Sequence, residues 1–118
     1  MATRSVDLDG EVMRGCYEHA AENGLTVVLD IGRPRCPCWQ VDAVAAAAER
    51  YRDVTFVLCH LLAPQICDGE LVKTALGKLV KPNVFFDISS LAANQKPESY
   101  PYPPAVAHLK TARSVVGA

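Results

Sequence analysis

The sequence predicts an α/β fold with three parallel strands and four helices, and three observations carry the prediction. Leu25-Thr-Val-Val-Leu-Asp-Ile-Gly32, Val54-Thr-Phe-Val-Leu-Cys-His-Leu61 and Asn83-Val-Phe-Phe-Asp-Ile-Ser89 are short, β-rich apolar runs. Their ionisable end residues, Asp30, His60 and Asp87, are spaced 30 and then 27 residues apart. Between the runs, apolar residues recur with helical period. Units of about thirty residues that alternate strand and helix imply crossover connections and a parallel sheet. Near-continuous apolar runs, rather than alternating ones, indicate strands covered on both faces.

Each element has its own justification. A leading helix over about 9–23 places Val12, Cys16 and Ala20 on one stripe, with Met13 and Tyr17 beside them, and Asn23-Gly24 stops it. The first strand follows. The next helix, 40–52, carries the stripe Val41, Val44, Ala45, Ala48 and Tyr51, and its alanine run has high helix propensity. After the second strand, 68–80 shows Leu71, Val72, Ala75, Leu76, Leu79 and Val80 on one face. Asp68 is placed to cap its start, and Pro82 blocks its continuation. The third strand leads to a last helix, 104–116, which opens after Pro103-Pro104, residues favoured in a first turn. Two longer loops, 32–39 and 89–103, follow strand C-terminal ends, the edge where parallel α/β architectures bind ligands.

Composition narrows the function classes. The 118 residues carry 12 Lys plus Arg against 13 Asp plus Glu, and half are apolar, the profile of a globular domain rather than a disordered chain. A net charge of −1 argues against nucleic-acid or acidic-membrane partners. No apolar stretch reaches the ~20 residues of a membrane helix, and the first residues lack the apolar core of a signal peptide. The five cysteines are an odd number without repeating spacing, so a reduced, cytoplasmic setting is the economical expectation. Cys59, inside an apolar run, reads as a small buried hydrophobe. Cys36-Pro-Cys38 has the form of half a metal site, but no second pair at zinc spacing follows.

The chemistry concentrates on one rim. Asp30, His60 and Asp87 would emerge together from the strand ends, where a histidine and carboxylates can bind a divalent metal or share proton transfer. Structural roles compete with these. Asp30 can cap its loop or pair with Arg33 or Arg35, Asp87 can form an Asx turn with Ser89 or Ser90, and His60 can bond a strand-end carbonyl. Arg33 could hold an anionic substrate, and Trp39 could line a pocket or cover the core edge. His19 and His108 read as polar-face helix residues. No phosphate-binding glycine loop and no Gly-x-Ser-x-Gly elbow is present.

GLTVVLDIGRP, RYRDVTFVLCHLLAP, KPNVFFDISSL and YPYPPAVAHLKTARSVVGA together resemble the amidohydrolase-related family. These are metal-dependent (β/α)8-barrel hydrolases and decarboxylases of the amidohydrolase superfamily. The resemblance runs from about Leu8 to Ala118 and is most specific at Val57-Leu-Cys-His60-Leu and in the stretch 82–89. It implies that residues 1–118 are a partial TIM-barrel domain holding about strands five to seven, without the first strands or the closing strand. A full barrel takes about 250 residues. It further implies that His60 ligates the metal or activates the attacking water. Asp30 stands where the family usually has a histidine ligand, and Asp87 lines the site as part of an Asp-x-Ser. The implied cofactor is a divalent metal, zinc or manganese, and the implied substrates are small carboxylated or carbonyl compounds. The family's His-x-His pair and its last-strand aspartate have no counterpart here, so little or no activity is expected of this polypeptide alone.

Two readings compete with that of an enzyme segment. Three strands with open edges are a poor stopping point, which favours a module that pairs with itself or with a partner half-barrel. The other is a small α/β domain that binds an anion near Arg33.

Overall fold

A computed structural model describes residues 6–62, 69–91 and 99–117. Among them, four helices, α1 (Glu11–Asn23), α2 (Val41–Arg50), α3 (Gly69–Lys78) and α4 (Pro103–Val116), alternate with strands β1 (Thr26–Leu29), β2 (Thr55–Leu58) and β3 (Val84–Phe86). The strands form one parallel sheet in the order β1-β2-β3. The predicted α/β class, parallel pairing and element count all hold. Asp68, expected to cap α3, and Cys67 lie outside the described residues.

Local chemistry sets the ends. Gly24 takes φ 62°, ψ 33°, the left-handed conformation in which its N–H reaches back to the Ala20 carbonyl and closes α1. Pro103 opens α4 at a position where no intrahelical N–H is needed. Asn83, just before β3, donates its side-chain amide to the carbonyls of Ala48 (3.0 Å), Tyr51 (3.2 Å) and Val54 (3.0 Å). One side chain thereby ties the end of α2 and the entry to β2 to the start of β3.

Among the described residues the sheet is covered on one face only, which corrects the expectation of strands buried on both. Phe56, Leu58 and Val84 are buried, while Val27, Leu29 and Phe86 are partly buried against the same core. Their alternates point away from it: Val28 and Phe85 are 61% and 53% exposed. Val28 pairs with Val57, and Val57 with Phe85, so these three form one row straight across the open face. The molecule measures 43 × 40 × 22 Å, and the short dimension matches one sheet plus one helix layer, spaced about 10 Å apart. The physical reason is the number of layers. Apolar run length reports β propensity and hydrophobicity, but it does not say whether a second layer lies within the same stretch of chain.

On the covered face, Val41, Val44, Ala47 and Ala48 of α2 and Val72, Ala75 and Leu76 of α3 make the helix layer. The predicted stripe of α1 is rotated. Tyr17 and Ala20 are buried and Met13 is partly so, whereas Val12 is 75% exposed and Cys16 faces outward. Tyr17 decides the rotation. Its ring meets Phe56 edge-on with centroids 5.2 Å apart, and its hydroxyl donates to the Leu8 carbonyl at 2.6 Å. Burial pushes its phenol up to about 12, and the ring buries more apolar area than Val12 would.

Candidate functional site

The chain does not leave β2 in an ordinary way. His60 (φ 60°), Leu61 (φ 46°) and Leu62 (φ 65°) adopt consecutive left-handed conformations, and none is glycine. Each such residue costs roughly 1–2 kcal/mol, and a run of them persists only where surrounding contacts over-determine it. Those contacts are specific. Leu61 and Leu62 are buried, at 4% and 0% exposure. The His60 N–H donates to Asp87 Oδ1 at 2.9 Å, and the Leu61 N–H donates to the Asp87 carbonyl at 2.8 Å. His108 Nε2 donates to the Leu61 carbonyl at 3.2 Å from α4. The turn therefore has a buried end of two leucines and an outer end carrying the imidazole.

That imidazole meets residues from the ends of both neighbouring strands. Nδ1 lies 3.0 Å from the Ser89 carbonyl and 2.9 Å from Ser89 Oγ. A carbonyl oxygen only accepts, so Nδ1 carries the hydrogen and the lone pair of the neutral ring sits on Nε2. Nε2 is 3.5 Å from Asp30 Oδ2, and Asp30 is held by the Gly32 N–H on Oδ1 at 2.9 Å. Asp87 Oδ1 also accepts the Ser89 hydroxyl (2.6 Å) and the Ser89 N–H (3.0 Å). The Ser89 hydroxyl first, then the His60 and Ser89 amides, hold its carboxyl well below the usual carboxylate range. Asp87 is thus a fixed anion that builds the turn, whereas Nε2 of His60 faces the Asp30 carboxylate at the open end of the group.

The structure brings Asp30, His60 and Asp87 together as the strand spacing predicts. The turn-forming roles weighed against a site role are present at the same time, since Asp30 caps Gly32 and Asp87 forms an Asx turn. Arg33 and Trp39 stand apart from this group. Arg33 is exposed, and its carbonyl accepts the Cys36 N–H at 3.1 Å. Trp39 packs against the core and lines a cavity of about 340 Å³ with Asp42, Leu71, Thr74 and Lys78, a cavity to which Asp30, His60 and Asp87 do not contribute.

Three residues take places that the sequence reading did not give them. Ser89 bridges His60 and Asp87. Cys59, expected to be buried, is half-exposed at the rim. Burial, then the hydrogen bond to Asp87, push its thiol up and keep it protonated. His108 is half-buried rather than on a polar face, and desolvation lowers its pKa. Its signal was present, because Ala105, His108 and Ala112 fall on one helix face and both alanines are buried.

Cys36 and Cys38, expected to be thiols, are joined by a disulfide. Pro37 folds the chain so that their Cα atoms are 5.2 Å apart, inside the range a disulfide spans. Gly32, at φ 69°, lies beneath the bridge, and a Cβ there would sit 2.5 Å from Cys38 Sγ.

The donor set can be tested against a divalent metal. Zinc in a catalytic site takes three protein ligands and leaves one position for water. His60 Nε2 and Asp30 Oδ2 supply two, and a backbone carbonyl on Nδ1 is the usual support for a ligating histidine. Among the described residues, no group of three or more His, Cys, Asp or Glu could hold a metal ion. These residues alone do not fit a complete metal site.

Comparison with known proteins supports the architecture. No family model matches the chain, and no curated protein matches it. Among solved structures, the fold is similar to an amidohydrolase 2 from Bifidobacterium longum subsp. infantis, with a TM-score of 0.63 and 21% sequence identity. The match covers 92% of this chain and 37% of that one. The chain therefore has an amidohydrolase-like fold over a little more than a third of that protein's length. None of its described helices is long and apolar enough to cross a membrane.

Proposed function

We propose that this chain contributes part of the active-site rim of an amidohydrolase-like barrel that acts on a small carboxylated or carbonyl substrate, either by hydrolysis, in which a water adds and the leaving group departs with a proton, or by decarboxylation, in which carbon dioxide leaves and a proton takes its place. The observation that carries the proposal is the convergence of His60 and Asp30 on a rim whose sheet face is open. The Nε2 lone pair takes the proton of the attacking water, and the Asp30 carboxylate stabilises the imidazolium so formed. Asp87 and Ser89 orient the ring, so the base keeps one tautomer and one direction. Used instead as a ligand, the same Nε2 lone pair would join Asp30 in holding a zinc or manganese ion, and the ring would then not take the proton. The chain by itself turns over little or no substrate.

Two experiments test this. Sequencing of the coding region on both sides should reveal a His-x-His upstream and a Ser/Thr-Asp downstream, in the same or an adjacent frame, and finding neither would sink the proposal. Metal-dependent turnover by the isolated chain, abolished by His60→Ala, would overturn its inactivity alone.

A second reading rests on the row Val28–Val57–Phe85 and on the outer edges of β1 and β3, which pair with no strand among the described residues. In this reading the open face is covered by a second copy of the chain. Sedimentation of the wild type should then show a dimer that Val28→Lys dissociates. A wild-type monomer across the micromolar range would remove this reading.

A further inference from the structure

We infer that Cys36 and Cys38 form a thiol–disulfide exchange site for a dithiol reductant, and that its redox state sets the position of Asp30 through Gly32. The inference stands apart from the barrel proposal, because its test reads sulfur chemistry and Gly32 rather than turnover. Four observations carry it.

The bridge spans one intervening residue. A loop that small gains little from chain closure, unlike the long loops that structural disulfides clamp. The bridge is also reachable: both cysteines are half-exposed, and Pro37 between them is exposed. Arg33 and Arg35 precede it in sequence, and nearby cations favour the thiolate that exchange requires. The fourth observation is contact with the site. Cys38 Sγ lies so close over Gly32 that a methyl group there would be 2.5 Å from it, and Cys36 Sγ would be 3.4 Å away. Gly32 in turn holds Asp30 Oδ1 with its N–H at 2.9 Å, and the other oxygen of Asp30 faces His60 Nε2 at 3.5 Å.

The exchange balances without any further reagent. A thiolate of the dithiol attacks one sulfur of the bridge, the S–S bond breaks, and its electron pair leaves on the other cysteine, which takes a proton. The second thiol of the reductant then attacks its own sulfur in the mixed disulfide, and the first cysteine departs and is protonated. The protein gains two electrons and two protons, and the reductant becomes a cyclic disulfide. Two sulfurs no longer bonded must separate to van der Waals contact. With Cys38 Sγ already against Gly32, that separation moves either the sulfur or the glycine, and with the glycine the amide that orients Asp30.

The test uses the full chain equilibrated across ratios of reduced to oxidised dithiothreitol, quenched in acid, alkylated and digested with trypsin. The peptide Cys36–Arg50 contains both sulfurs and no other cysteine. It should pass from an unalkylated form two hydrogens lighter to a doubly alkylated form as the ratio rises. The Gly32 amide and the His60 ring resonances should shift with the same midpoint. In the double variant Cys36→Ser, Cys38→Ser those resonances should no longer respond to the ratio. A peptide that stays in one form across the whole series overturns the inference, as does a Gly32 amide that stays fixed while the peptide converts. The wild-type titration decides the matter even if the variant does not fold.

Discussion

Replacing His60 by glycine and, separately, by alanine isolates the backbone cost of the turn after β2. Both variants lose the imidazole, its bond to the Ser89 carbonyl and its approach to Asp30, so these losses cancel in the comparison. Both keep the amide that donates to Asp87. What differs is the expense of φ 60°, ψ 25° for a residue with a Cβ, roughly 1–2 kcal/mol. Against this, glycine loses about 0.5–1 kcal/mol more than alanine in ordering an unfolded chain. The net expectation is that His60→Gly is more stable than His60→Ala by about 0.5–1 kcal/mol. With a urea m-value of about 2 kcal/mol/M, that is a midpoint higher by a few tenths of a molar unit. Equilibrium urea unfolding followed by circular dichroism measures it. Equal midpoints, or a higher one for alanine, would refute a left-handed turn held against its own preference.

Three further outcomes follow from the same contacts. Asn83→Ala leaves three carbonyls without their donor and should cost about 2–3 kcal/mol, a fall in thermal midpoint of roughly 10 °C by calorimetry; a fall under 2 °C would contradict the tie between α2 and β3. The Asp87 carboxyl has a lowered pKa in the folded state, so its stabilisation is present above the unfolded value near 3.9 and is lost only as pH falls toward the folded one. The His60 and Ser89 amide shifts should therefore show no inflection near pH 3.9, and an inflection there would count against the three bonds to Oδ1. His108 is lowered by burial, so its neutral form favours folding above its unfolded value of about 6.5, and stability declines as pH falls below that. His108→Gln, which keeps a donor for the Leu61 carbonyl, should flatten this slope in urea titrations at pH 5 to 7; an unchanged slope would assign it elsewhere.

The strand ends were legible because period and ionisable residues coincided. Asp30, His60 and Asp87 each close a β-rich run, and parallel pairing in sequence order brings such ends to one rim whatever the details of the helices. The left-handed turn was not legible. His-Leu-Leu carries no glycine or asparagine, and the conformation is imposed by the burial of Leu61 and Leu62 and by Asp87, which lies 27 residues away. The open sheet face was hidden for a related reason. Val28 and Phe85 are as apolar as Phe56 and Leu58, so only the position of the helix layer separates inward from outward residues. The rotation of α1 turned on one residue, Tyr17, whose size outweighed the regular spacing of Val12, Cys16 and Ala20. The bridge between Cys36 and Cys38 leaves no mark on an odd count of cysteines, and Cys-Pro-Cys serves a metal as well as a disulfide; the turn at Pro37 that brings the two Cα atoms to 5.2 Å decides between them.

The bond from His108 to the Leu61 carbonyl gives α4 a leverage over the imidazole that its distance along the chain conceals. Leu61 is the residue next to His60, and the peptides on its two sides are both gripped, the first at its N–H by Asp87 and the second at its carbonyl by α4. The turn that carries the imidazole is thus pinned at one end to the residue after the third strand and at the other to the terminal helix. The terminal helix therefore helps hold a left-handed turn that begins 43 residues before it along the chain.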